Sequence, residues 1–502
     1  MARTRMGSLA ERCALWIARA LERTTPLRHA LFSRVEARLL ERYERDLRVG
    51  WQPPGVSDDK LALSLAVLRT VERSLQDRRL SDASLAGFLG RLVHDILMRR
   101  GDKSAKLAFR ARHGCGPPDF LVISPGKACN LRCTGCYAAS GPNGEKLGWA
   151  TLDRLVSDAH EQWGVRLFVL SGGEPLVYRD EGKGVVDLAR RHPDCFFIMY
   201  TNGTLIDDKT AGQMGEVGNL SPALSIEGMR ERTDERRGCG VFDQVLAAIG
   251  RLRRERVIFG LSLTATRHNA EEILADELVS LFFDELGSFY AWIFQYMPIG
   301  RGYTLDLMIT PEQRLRMWER MWRLVRERRV FLVDFWNSGT ATFGCVAAGR
   351  PGGYLYVNWN GAVSPCVFVP YSPVNIREVY ARGGTLDDVW AEPFFASIRD
   401  WQRAYGYRES GEGREGYGNW LAPCIIRDHH VEFRRILAQH PAPPADDDAR
   451  AALLDPLYRE RMEAFGDELT ALAGPIWESR YFGPEPPARA SRTPGLVMKR
   501  SA

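Results

Sequence analysis

The 502-residue chain has no apolar run approaching the about 20 residues that a membrane-spanning helix needs. Its purely apolar stretches, such as residues 196–199, are short, and residues 13–21 are interrupted by Arg19, which breaks any secretory core. A cytoplasmic location is the expectation, in a reducing compartment where the ten cysteines serve as metal ligands or buried thiols rather than disulfides. Internal repeats are absent. At 45% hydrophobic and 26% charged, the composition excludes fibrous and disordered classes and fits a globular protein too long for one core.

Charge is unevenly spread. Residues 1–112 carry 20 Arg and 3 Lys against 13 acidic residues, a net +10 in a chain whose total is +5. Such a front end suits an anionic surface and leaves room for peripheral lipid contact at the inner membrane face, although a solvated Arg-rich helix face reads the same way. Nucleic acid is not an expected partner.

Residues 8–100 read as helices. Ser8 and Glu11 have capping-box spacing ahead of apolar positions on one face, Thr25-Pro26 restarts the pattern, Gly50 with Pro53-Pro54 stops it, and more helix is expected over 58–100. From Asp119 onward, short apolar runs alternate with helical patterns. Residues 120–123, 167–170, 196–200, 223–226, 258–263 and 289–294 read as buried strands, with helices at 152–162, 184–191, 207–214, 242–254 and 270–286. The fold class is therefore α/β, a parallel sheet or partial (β/α)6 barrel with its chemistry at the C-terminal strand ends. The textures divide the chain into an N-terminal helical region (1–114), the α/β core (115–300), a connecting helix (301–344), a small cysteine-bearing region rich in Gly, Pro and aromatics (345–430), and a linker, helix and disordered tail (431–502).

Cys129, Cys133 and Cys136, directly after the first strand, can take three corners of a four-iron cluster and leave the fourth iron open to a small chelating ligand. A structural zinc ion would want a fourth protein ligand, and no further Cys or His lies nearby in sequence. Tyr137 follows the third cysteine. Gly172-Gly173-Glu174-Pro175 ends the second strand, where glycines let backbone approach a ligand and an acid suits an ammonium group.

Together these residues resemble the radical S-adenosylmethionine (SAM) superfamily. The resemblance implies a [4Fe-4S] cluster whose open iron binds SAM, an electron donor such as flavodoxin or ferredoxin, and a 5′-deoxyadenosyl radical that takes hydrogen from the substrate. It places Tyr137 and the Gly172, Gly173, Glu174 and Pro175 turn beside SAM. Asn202 falls in a segment similar to the family's TNG element, Ser225 and Glu227 in one facing the ribose and substrate, and Arg267 where the family often places a group near the SAM carboxylate.

A second cysteine set comprises Cys345, Cys366 and Cys424, with Gly361 closing a hairpin that presents Cys366 beside Cys345. It resembles the SPASM or Twitch extension, which carries auxiliary iron-sulfur clusters, but offers three cysteines where the SPASM pattern has seven. One auxiliary cluster is the expectation, its fourth ligand absent or drawn from Asp428, His429, His430 or a distant cysteine. The run from 354 to 424 is also similar to a radical SAM branch that includes archaeal tetraether-lipid synthase. That likeness, with the basic helices, makes a lipid or other apolar chain the expected substrate; a peptide or protein side chain is the alternative, and a noncatalytic metal module the third reading.

Overall fold

The apolar runs in the middle of the chain form one parallel sheet. β1 (Phe120–Ile123), β2 (Leu167–Leu170), β3 (Phe196–Thr201), β4 (Leu220–Ile226), β5 (Gly260–Ala265), β6 (Tyr290–Gln295) and β7 (Leu332–Asp334) lie side by side in chain order, each pair parallel. Their residues are buried almost throughout, because helices cover one face and side chains fill the other. The computed structural model describes residues 19–50, 52–87, 103–407 and 416–483. The helical signals read at 8–18 and 88–100 and the tail beyond 483 lie outside them.

The covering helices follow from their sequences. Trp149–Trp163 buries Leu152, Leu155, Val156 and Ala159 at helical spacing and stops at Gly164, whose φ is 67°. Pro311–Glu327 starts from a Thr310/Gln313 capping box with Pro311 in its first turn, and buries Met317, Trp318, Met321 and Trp322. Residues 270–286 do not make one helix. Ala275, with ψ 149°, breaks them into a 3-10 turn at Glu272–Leu274, a short helix at Asp276–Val279 and a π-helical turn at Ser280–Glu285. A helix not expected from the sequence, Arg230–Arg237, follows β4.

β8 (Tyr354–Val357) pairs in parallel with the free edge of β1, and β9 (Ala362–Ser364) and β10 (Val374–Asn375) extend it antiparallel. The complete order is β10-β9-β8-β1-β2-β3-β4-β5-β6-β7. The hairpin beside Cys366 is thus hydrogen-bonded into the same sheet as the strand that precedes Cys129.

At the N-terminus, Pro54–Gln76 packs against Pro311–Glu327 and against the C-terminal turn Trp477–Tyr481. Asp59, fully buried on it, pairs with Arg326 and accepts from Thr340 Oγ1 at 2.7 Å and Tyr481 Oη at 2.8 Å. The expected helix over 58–100 ends at Gln76: Arg78 takes φ 51°, and Ser81 caps a new short helix, Asp82–Ala86. Thr25–Val49 lies on Pro54–Gln76 and buries only Arg28 and Phe32. No described helix is long and apolar enough to cross a membrane.

Candidate active site

The loop after β1 carries Cys129, Cys133 and Cys136 to the C-terminal mouth of the sheet, where Cys129 feels the charge of both other cysteines. Burial pushes the Cys129 thiol up to about 11, so without a metal it stays protonated. Among the described residues no three His, Cys, Asp or Glu side chains converge as the ligands of a single ion. Three thiols on one loop are the donor type that a four-iron cluster takes. Main-chain contacts fix the loop. Arg301 donates from Nη1 to Cys133 O at 2.7 Å and also reaches Ser140 O, while its own N–H bonds Cys136 O at 3.0 Å. Arg236 exchanges hydrogen bonds with Thr134, from Nε to Thr134 O at 3.2 Å and from Thr134 N to Arg236 O at 3.1 Å.

The turn after β2 is locked to this loop. Tyr137 Oη lies 2.7 Å from Ser171 Oγ and accepts from Gly172 N at 3.0 Å. Gly172 has φ 107°, and a Cβ on Gly173 would stand 2.2 Å from Ala128 O, so the close approach of turn to loop requires glycine at both positions. Pro175 opens a buried 3-10 turn. Glu174 lines the cavity, but its carboxylate already accepts from Thr201 Oγ1 at 2.7 Å, Asn202 N at 2.8 Å and Leu176 N at 3.0 Å. It ties the end of β2 to the end of β3. Burial still raises its pKa. Asn202 in turn directs Nδ2 to Asn130 Oδ1 at 2.9 Å and to Cys129 Sγ at 3.8 Å.

A cavity of about 270 Å³ opens above the strand ends. The cysteine loop, the Gly172 turn, Asn202 and Ser225 form one side, and Phe120, Tyr200, Trp292, Phe294 and Phe368 form an aromatic side. Three of the expected SAM-side residues, Pro175, Glu227 and Arg267, are not on its walls. Glu227 Oε1 is taken by Arg236 Nη1 and Arg237 Nε, both at 2.7 Å, and these arginines, missed in the sequence, line the cavity instead. Arg267 is exposed because the chain turns outward after β5; its Nε donates to Met308 O at 3.0 Å. Gln295, at the end of β6, was also missed. It lines the cavity fully buried, with Oε1 lacking a partner.

The members of the second cysteine set lie within electrostatic reach of one another. Cys366 feels Cys345 and Cys424, and Cys424 feels Cys345; burial pushes both Cys366 and Cys424 upward. Tyr354, which lines the cavity, places Oη 2.9 Å from Cys366 Sγ, linking the two regions. Asp428 is occupied elsewhere. Its Oδ1 accepts from Arg314 Nη1 at 2.7 Å and Arg427 Nε at 3.1 Å, and its Oδ2 from Cys424 N at 3.0 Å. His429 Nε2 lies 2.9 Å from Ala422 O, and His430 Nδ1 lies 2.7 Å from Ile426 O.

Residues 123–275 match the model of the Radical SAM superfamily. The chain is 28% identical over 315 residues to the AdoMet-dependent heme synthase of Methanosarcina barkeri, covering 56% of this chain and 85% of that protein. It is 27% identical over 374 residues to mycofactocin maturase MftC of Mycobacterium ulcerans, covering 66% of this chain and 96% of that one. The fold is similar to that of Streptococcus suis SuiB in its complex with the precursor peptide SuiA. That match has a TM-score of 0.50 at 17% identity and covers 65% of this chain and 76% of the other.

Proposed function

This chain is an enzyme of the radical SAM superfamily, and we propose that it removes hydrogen from a peptide or protein side chain inserted into the aromatic cavity. Cys129, Cys133 and Cys136 would hold the [4Fe-4S] cluster, and Gly172, Gly173, Asn202 and Ser225 would seat SAM against it. When bound, cluster and SAM together supply a one-electron cleavage to a 5′-deoxyadenosyl radical, the hydrogen-abstracting species. The chain's own residues do the rest. Tyr137 fixes the distance between cysteine loop and SAM turn, Glu174 ties that turn to the end of β3, Arg236 and Arg301 hold the loop carbonyls, and the aromatic side excludes water. Cys345, Cys366 and Cys424 would hold the auxiliary cluster.

The cavity carries this reading. Pockets for drug-sized molecules run to about 300–1,000 Å³, and this one, at about 270 Å³, has the SAM elements on its wall as well. Beside those elements, Tyr200, Trp292, Phe294 and Phe368 offer an apolar surface to a substrate side chain. The likeness to a maturase supports the same reading. The lipid reading rested on the likeness to the tetraether-lipid synthase branch together with the basic N-terminal helices, of which Pro54–Gln76 is packed on the core. The likeness to a heme synthase favours a second reading, in which a side chain of a heme precursor enters the cavity.

The test is 5′-deoxyadenosine formation by anaerobically reconstituted, dithionite-reduced enzyme. Short ribosomal peptides from the same cells, anionic phospholipid vesicles and an iron porphyrin are added in parallel. Acceleration by the peptides supports the proposal; acceleration by vesicles or porphyrin alone overturns it.

A further inference from the structure

Arg427 is a fully buried cation two of whose nitrogens find no acceptor among the described residues. Two guanidinium groups, those of Arg314 and Arg427, share the single carboxylate of Asp428. Arg314 is satisfied, with Nη1 on Asp428, Nη2 on Leu421 O at 2.7 Å and Nε on Asn337 Oδ1 at 3.3 Å. Arg427 uses only Nε, while Nη1 and Nη2 are buried with no hydrogen-bond partner. Its guanidinium carbon lies 4.7 Å from the Trp336 ring centre and 5.0 Å from that of Phe465, which offer π density but no acceptor. Unmet donors on a buried cation are costly unless an acceptor, best an anion, sits beside them.

The neighbouring group is the second cysteine set. Arg427 and Cys424 lie within electrostatic reach of each other. The Trp336 N–H is directed at the Cys424 sulfur and interacts with it, while the Trp420 N–H, whose ring packs on Gly344 next to Cys345, closes no hydrogen bond among the described residues. Buried donors without acceptors therefore gather around three buried or half-buried thiols. An iron-sulfur cluster on thiolates is a sulfide-bearing anion, which supplies the missing acceptors.

We propose that Arg427, with the Trp336 N–H beside it, is the charge-compensating wall of the auxiliary cluster and sets its reduction potential. The inference rests on the assignment of that cluster to Cys345, Cys366 and Cys424. Reduction adds negative charge, so a fixed cation close by favours the reduced state and raises the potential.

The experiment uses the full chain with Cys129, Cys133 and Cys136 replaced by Ala, so that after anaerobic loading with iron and sulfide only the second cluster remains. EPR-monitored redox titration then compares this parent with Arg427→Met, Arg427→Lys and Trp336→Phe added to it. At the parent's midpoint, Arg427→Met should show a reduced-to-oxidised ratio about tenfold lower, Trp336→Phe a smaller fall in the same direction, and Arg427→Lys a ratio close to the parent's. Iron retained by Arg427→Lys but lost from a folded Arg427→Met also supports the proposal. A midpoint unchanged or higher in Arg427→Met, or equal shifts in the Met and Lys variants, overturns it. A parent that binds no iron at all sinks instead the cluster assignment on which the inference rests.

Discussion

Gln295 Nε2 donates to both carboxylate oxygens of Asp334 across the β6–β7 pair, at 3.1 and 3.0 Å. Asp334 also accepts from Trp336 N at 2.9 Å, Asn337 N at 3.0 Å and Asn337 Nδ2 at 3.0 Å, so it acts as an acceptor only. The amide must then turn its NH2 to Asp334 and its Oε1 away, and that oxygen is a buried acceptor in the cavity wall without a partner among the described residues. A substrate N–H or O–H would complete it. Gln295→Leu is expected to lower the substrate-dependent acceleration of 5′-deoxyadenosine formation about tenfold, with Asp334→Asn between it and the unaltered enzyme. Equal acceleration in all three would remove Gln295 from the substrate contact.

Gly173 meets Ala128 backbone to backbone. A methyl group there would stand 2.2 Å from Ala128 O, with no flexible side chain to yield. Gly173→Ala is expected to destabilise the fold by about 1–3 kcal/mol and to weaken SAM binding, read by denaturant unfolding and by calorimetric titration with SAM. Native stability in this variant would mean that the loop and turn are not in contact in solution.

Arg301 supports the cysteine loop through carbonyls, not through the cysteine sulfurs. Its removal should therefore loosen the loop without removing a ligand. Arg301→Ala is expected to cost about 10–100-fold in iron affinity at the first cluster, measured as iron retained per chain after chelator challenge in the Cys345→Ala, Cys366→Ala, Cys424→Ala background. Retention equal to the parent's would contradict the role.

The parts of this site that were legible from sequence were those written in one local stretch. The strands showed because each is a short apolar run bounded by turn residues, and the Cys129 to Cys136 spacing showed because all three cysteines lie within eight residues. Arg236 and Arg237 did not show because Arg230–Arg237 is polar nearly all round and has no apolar stripe; its one signal is an acid, Glu231, in the first turn and two arginines in the last, matching the helix dipole. Gln295 and Asp334 are 39 residues apart and meet only through the strand register. The addition of β8 to the edge of β1 is likewise a long-range pairing that no local pattern encodes. Glu227 and Arg267 were misplaced for the converse reason: a polar residue at a strand end can turn toward a neighbouring ion pair or outward as readily as inward.

Iron loading should depend on pH in a defined direction. The buried Cys129 thiol, pushed up to about 11, is protonated throughout the working range and must release its proton to a metal. Apparent iron affinity should rise with pH between about 6.5 and 8.5, by up to about tenfold per unit for each thiol deprotonated, with proton release measurable in weakly buffered solution. A flat profile would mean that the loop thiols are already ionised.

The most direct test of the central claim is the formation of 5′-deoxyadenosine from SAM by the anaerobically reconstituted, dithionite-reduced protein, with and without Cys133→Ala. The unaltered protein should form it and Cys133→Ala should not. Formation undiminished in the variant, or none in the unaltered protein, would contradict the assignment of Cys129, Cys133 and Cys136 as the ligands of the cluster that cleaves SAM.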